Sequence, residues 1–451
     1  MNRNDFHLLD SADSVRLARH PLLAFLVLAV APLSTFAQWP QWGGPNRDFM
    51  ANSKNLADKW PDEGPKKVWE RELGDGYSTI VVDDGMLFTM YRAGEDEFAA
   101  ALDAQTGKTV WEHKNASPTT QLMNQFGPGP HTTPTVVGDK VYTIGTHAML
   151  ICFEKKTGKV IWQKDLEKDM NANVPGRGYG SSPIAYKNTL IVLVDHKRDD
   201  DDGGQAKDEE KKEETDKKPV DGQSVVAFDL NTGSVVWKSQ DLPVGYASPM
   251  IVKYDGRDQL VCLLSKDAIG LNPDNGELLW RQETKQEGAN ISTPVFDGKD
   301  TFFCSSAYDS GSRAIKLTTK DGKIVPEELW YSRKMRVHHG NAIRLGDYIY
   351  GSSGDFGPAF FMAVNLKNGE IAWRERGFTK ANCVYADGKL ILLDEDGQLA
   401  LTKVDPKGLT VLSKCKIAER YAWAAPTLVG STLYVRDRKH IMALDLSATS
   451  G

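Results

Sequence analysis

ALDAQTGKTVW (101–111) recurs along this chain, and its reading decides the fold. An apolar pair is followed by an acidic or polar residue, then a turn ending in Gly, then a run with Trp four residues past that Gly. The same pattern reads CFEKKTGKVIW (152–162), AFDLNTGSVVW (227–237), GLNPDNGELLW (270–280) and AVNLKNGEIAW (363–373). Two looser copies are KLTTKDGKIVPEELW (316–330), with four extra residues before its Trp, and LTKVDPKGLTVL (401–412), with Leu412 in the Trp place. Asp or Asn beside Gly permits the tight positive-φ bend that joins two antiparallel strands. The Trp supplies a broad apolar plate to pack on the neighbouring repeat.

Ahead of each motif lie two more short β-rich runs, such as TPTVVG and KVYTIG within 133–145, or PTLVG and TLYVRD within 426–437. Four strands in ~40–50 residues is the period of a propeller blade. A chain of 451 residues also exceeds what one compact core supports, which favours a repeat architecture. No stretch outside the N-terminal segment has helical periodicity. Seven motifs leave two loose ends: IMALDL (441–446) lacks its Trp strand, and KKVWEREL (66–73) is a Trp strand without its first half. Joined, they make an eighth unit. The expectation is an all-β, eight-bladed propeller of four-stranded antiparallel blades, the last blade closed by the N- and C-terminal strands. Such closure hides two sheet edges that would otherwise invite aggregation.

The repeat resembles that of PQQ-like (pyrroloquinoline-quinone-type) propellers, a group that includes quinoprotein alcohol dehydrogenases and BamB-like outer-membrane assembly proteins. The resemblance covers 66–446. WPQWGGPNRDF (39–49) is similar to the mature N-termini of secreted members of the group. For the dehydrogenases the resemblance implies an adjacent cysteine pair over the quinone, acidic and amide calcium ligands, and a catalytic Asp. This sequence has no Cys–Cys pair, and none of those residues can be placed on it.

Residues 1–37 read as a signal peptide. Arg16, Arg19 and His20 precede the apolar run PLLAFLVLAVAPL (21–33), and the small residues Ser34, Thr35 and Ala37 follow, with the cut expected after Ala37. The run is shorter than the ~20 residues that cross a bilayer. A periplasmic or secreted protein with no transmembrane span after cleavage is expected. Residues 38–65 form an arm, pinned to the propeller by Trp39, Trp42 and Trp60, and 447–451 form a tail. The segment 195–221 holds 12 acidic and 7 basic side chains and almost nothing apolar, so it is expected as a disordered loop inserted in the third blade. It carries most of the formal charge of −6, which leaves the propeller near neutrality and gives no basis for nucleic-acid binding. Cys152, Cys262, Cys304, Cys383 and Cys415 are scattered and form neither a zinc motif nor a disulfide framework.

Candidate site residues come from aligning the blades on the innermost strand. Pro134, Pro183, Pro249, Pro294 and Pro426 mark its start in five units. Just before it stand Thr79, Thr133, Ser182, Ser248, Thr293, Asn341 and Asn382, with Ala425 in the eighth unit. This polar ring either stabilises local backbone or lines the channel, and the two readings are compatible. Two positions earlier stand Tyr77, His131, Gly180, Tyr246, Ile291, His339, Lys380 and Trp423. Of these, Tyr77, His131, Tyr246, His339, Lys380 and Trp423 form a candidate ligand cup at the channel mouth. His131 and His339 belong to the second and sixth units, so they are expected across the channel from each other. That is too far to share a metal ion with bonds of ~2 Å. His338 should point to the opposite face of its strand. No metal site is expected, and SSGDFG (352–357) is no nucleophile elbow. The resulting expectation is a monomeric, exported, non-catalytic binding or scaffold propeller serving an envelope protein or small ligand, without a cofactor. The alternative is a PQQ- and calcium-dependent oxidoreductase with a reduced cofactor site.

Overall fold

The computed structural model describes residues 38–448, apart from 121, 124, 197–222, 285–289, 309 and 356–357. The expected signal peptide, nearly all of the acidic insertion and the end of the tail lie outside the described residues. Eight sheets of four antiparallel strands make up the propeller. The first blade runs Val81–Asp83, Met86–Ala93, Asp96–Asp103 and Thr109–Ala116 from the axis outward. Blades two to seven occupy 135–165, 184–239, 250–283, 295–332, 342–375 and 381–416. The eighth takes Thr427–Val429, Thr432–Arg436 and His440–Asp445 from the C-terminal end and Lys66–Glu72 from the N-terminal end. Trp69 lies opposite Ala443 across that seam. Each of the five prolines immediately precedes the first strand of its blade. The one α-helix among the described residues, Leu166–Met170, follows the outer strand of blade two and is capped by Asp165, which accepts from the Lys168 N–H.

The motif packs by one rule. In seven blades the Trp sits opposite a small or flexible position on the third strand, namely Ala101, Cys152, Ala227, Gly270, Ala314, Ala363 or Ala443, and the register slips by a residue beside it. The slip is a β-bulge that turns the indole toward the next blade. Six of these indoles donate to a backbone carbonyl of that blade at 2.7–3.2 Å, for example Trp111 to Lys155 and Trp69 to Ala104. The motif glycines lie beneath the rings. At Gly107, Gly158, Gly233, Gly276 and Gly369 φ is positive, and an added Cβ would fall 2.5–2.8 Å from an indole atom. Only glycine satisfies both conditions without strain.

The two loose copies depart for visible reasons. The longer hairpin of blade five bonds blade four through Thr319, which meets Tyr254 Oη at 3.3 Å and donates to Asp255 at 3.2 Å, and Trp280 donates instead to Gln259 of its own blade at 2.7 Å. In blade seven the bulge places Ser413, and not Leu412, in the Trp register opposite Leu401. The expectation for Leu412 was therefore off by the one bulged residue. Trp60 from the arm is buried in the hydrophobic cluster of blades six to eight, its backbone N–H held by Ser413 Oγ at 2.8 Å.

The arm crosses the inner end of the blades. Trp39 pairs with Val82 of blade one, Val136 of blade two donates to the Pro40 carbonyl, and Phe49 and Ala51 pair with Tyr385 of blade seven. Arg47, 3% exposed, sends its guanidinium to the carbonyls of Pro249, at 2.6 Å, and Pro183. A fork of N–H donors suits two carbonyls presented side by side.

Candidate ligand pocket on the propeller axis

The polar ring joins blades rather than lining a free channel. Ser182 Oγ accepts from the Thr133 N–H and Ser248 Oγ from the Ser182 N–H, each at 2.9 Å. Asn341 closes two bonds with the Cys383 backbone, Asn382 donates to the Trp423 carbonyl, and Thr79 accepts from the Ala425 N–H across the seam. Thr293 accepts from the Trp42 indole at 2.9 Å, tying the arm to blade five. The expectation of side chains bonding local backbone is thus met in kind but not in place, since most of the partners belong to the adjacent blade. Thr133 Oγ1 has no partner. Only Ser182 and Ser248 of the ring reach the pocket wall.

Above the ring, the larger side chains assemble into a run of stacked rings. His131 lies against Tyr77 with centroids 5.4 Å apart and planes 4° apart; Tyr77 stacks on Trp423 at 5.1 Å, and Trp423 on His339 at 4.2 Å. The two histidines from blades two and six are therefore ends of one aromatic arc, not isolated groups across an open channel. His338 is not turned to an opposite face as expected: residues 335–340 are not a strand, its ring lies 3.6 Å from that of His339, and its Nε2 meets Tyr308 Oη at 2.7 Å. Lys380 does not join the cup. Its ammonium goes to the Asp355 carbonyl at 3.0 Å and lies 3.5 Å from Glu395, which also accepts from the Trp423 indole at 2.9 Å.

The arc walls a cavity of about 380 Å³. Sequence alignment of the blades found Tyr77, His131, Tyr246, His339 and Trp423, all of which line it. It missed Met123, Phe126, Arg177 and Tyr308, which come from loops outside the repeat, and Trp42, which comes from the arm and forms part of the wall. Met123 is exposed, at the solvent side; Trp42 reaches the cavity from the face that the arm crosses. The channel is thereby a pocket with one end occupied by its own chain.

Burial keeps the imidazoles neutral. His131 is pushed down to about 4 and His338 to about 3, both mainly by desolvation, and His339 is held well below the ordinary value by burial, with His338 and Lys380 adding to it. Such weakly basic rings are poor general bases at neutral pH. Tyr77 is raised by burial and donates its hydroxyl to the Phe126 carbonyl.

The donor set does not fit a calcium-held quinone. Among the described residues no carboxylate or cysteine lines the cavity, and no group of three or more His, Cys, Asp or Glu is placed to hold a metal ion. All five cysteines are free.

Eight blades, Trp-over-Gly docking and an axial pocket define a PQQ-like repeat propeller. Residues 95–375 match the family described as outer membrane protein assembly factor BamB, and the chain belongs to that family. An uncharacterized protein of Rickettsia conorii is 23% identical over 217 residues, 43% of this chain and 52% of the relative. The chain thus spans about half the length of that curated relative. Quinoprotein ethanol dehydrogenase of Pseudomonas putida is 30% identical over 120 residues, 26% of this chain and 18% of the enzyme. Among solved structures, BamB from Moraxella catarrhalis superposes with a TM-score of 0.58 at 16% identity, covering 84% of this chain and 99% of that one. Quinohemoprotein alcohol dehydrogenase from Comamonas testosteroni gives 0.59 at 13% identity, covering 92% and 81%. At these identities the likeness is one of fold.

Proposed function

We propose that this chain is an exported, non-catalytic binding propeller of the cell envelope, which takes a small ligand at the free mouth of its channel. The single observation that carries the reading is the aromatic pocket closed from the other face by the protein's own arm. A through-channel offers no end wall; here Trp42 supplies one, and the aromatic side chains supply an apolar lining for a ligand to bury. A scaffold role toward an envelope protein is compatible, since family membership is shared with an assembly factor and the pocket would then receive a partner's side chain.

Quinone-dependent oxidation is the weaker reading because the described residues of the wall include no carboxylate to hold calcium, and its imidazoles are poor bases. Titrating the purified propeller with PQQ and Ca²⁺ in a dye-linked alcohol assay separates the two. No turnover is expected at saturating quinone. Sustained alcohol oxidation that depends on both additions overturns the non-catalytic reading.

A further inference from the structure

Among the described residues the pocket wall holds one charged side chain, and it is unpaired. Arg177 is half-buried on the loop between blades two and three, and among the described residues its guanidinium has no hydrogen bond or ion pair. The neighbouring cations are all engaged: Arg438 with Asp75, Arg336 with Asp355 at 3.3 Å, Lys380 with Glu395 and the Asp355 carbonyl, and Arg92 with Glu97 at 2.7 Å. The charge on Arg177 reaches His131, Tyr246, Tyr308, His338 and His339, which come from four separate loops around the mouth. A guanidinium in surroundings of lower dielectric than water attracts an anion more strongly than one in bulk water.

Resting on the reading of the channel as a ligand pocket, we propose that it selects a planar ring system bearing a single carboxylate. The stacked rings cover one another's faces, so the ligand ring meets their edges, and the carboxylate pairs with Arg177 through the bidentate geometry that a guanidinium favours. One charge is specified because, among the described residues, the wall offers one free cation. A second carboxylate would be desolvated without a partner, which is strongly unfavourable. Planarity is specified by the aromatic lining, whose ring edges pack favourably against the face of a flat π system.

Calorimetry on the full propeller with naphthoate, its neutral amide naphthamide, naphthalene dicarboxylate and cyclohexanecarboxylate tests each element. Naphthoate is expected to bind roughly tenfold more tightly than the amide, with the advantage shrinking as salt is raised. Arg177→Gln should equalise acid and amide while leaving the melting temperature unchanged, and cyclohexanecarboxylate should bind more weakly than naphthoate. Equal affinity for acid and amide in the wild-type protein overturns the anion preference and leaves the pocket reading standing. Tighter binding of the dicarboxylate overturns the single charge, and preference for the saturated ring overturns planarity. Failure of all four to bind at millimolar concentration overturns the pocket reading as well.

Discussion

Arg47 Nη1 donates to the Pro249 carbonyl at 2.6 Å while its second terminal nitrogen reaches Pro183, so one side chain from the arm bridges the innermost strands of blades three and four. Arg47→Met removes both donors without shortening the side chain much. Two buried carbonyls then lose a partner, although Thr135 Oγ1 still donates to Pro183. A loss of about 1–3 kcal/mol is expected by denaturant unfolding. Protease sensitivity should rise first within 38–51. If stability and cleavage pattern are unchanged, the arm does not depend on this contact.

Docking of each Trp on the next blade makes two substitutions on opposite sides of one contact comparable. Trp111→Ala should lose about 3–5 kcal/mol, as for other buried aromatic truncations. Gly158→Ala lacks any loss of apolar area, yet at φ 70° its Cβ would meet the Trp111 ring at 2.5 Å. About 1–3 kcal/mol is expected there. The double variant should fall short of the sum, because removing the indole also removes the clash. Additive losses would refute the shared contact.

The neutral imidazoles set a pH dependence. His131 and His338 titrate in the folded protein at about 4 and about 3, below the ordinary value near 6.5. Between those limits the unfolded chain binds more protons than the folded one, so stability rises with pH in that window and is lost as pH falls from about 6.5 toward 4 and below. Each tenfold difference in proton affinity corresponds to about 1.4 kcal/mol. His338→Gln should flatten the acid limb of a plot of unfolding free energy against pH. An unchanged slope would mean that this ring does not stay neutral in the fold.

Glu395 is 6% exposed and holds the Trp423 indole from behind. Glu395→Ala frees that ring and leaves Lys380 without its carboxylate, so naphthoate and naphthamide should both weaken by roughly tenfold. Glu395→Gln keeps an oxygen that can accept from the indole and should restore most of the affinity. Equal weakening in both variants would assign Glu395 to charge balance rather than to positioning Trp423.

The blade count and the seam were legible in the sequence because the repeat is local: turn, glycine and tryptophan lie within eleven residues, as in 101–111. The prolines likewise mark first strands because their fixed φ and missing N–H suit the start of a strand. Blade seven was misread by one position since a bulge shifts the register without changing composition. The pocket was half legible. Tyr77 and Trp423 occupy a fixed place relative to each blade, whereas Phe126 and Arg177 sit on loops whose paths no period constrains. Lys380 shares the alignment of the cup residues but turns aside to Glu395, a carboxylate contributed by a turn further along its own blade. That choice depends on packing between segments, which spacing does not encode.

The seam has a temporal consequence. Lys66–Glu72 is made early and finds its partner only in His440–Asp445, near the other end of the described chain. Until that segment arrives, seven wedges can stack into an open horseshoe, with blade one lacking a neighbour for its own turn at Ala104. Contacts between sequence-distant segments form slowly because the intervening loop must first be closed. Losing the last strand would therefore do more than trim one sheet: it would leave the circle unlatched, with Trp69 held at the mouth of a gap.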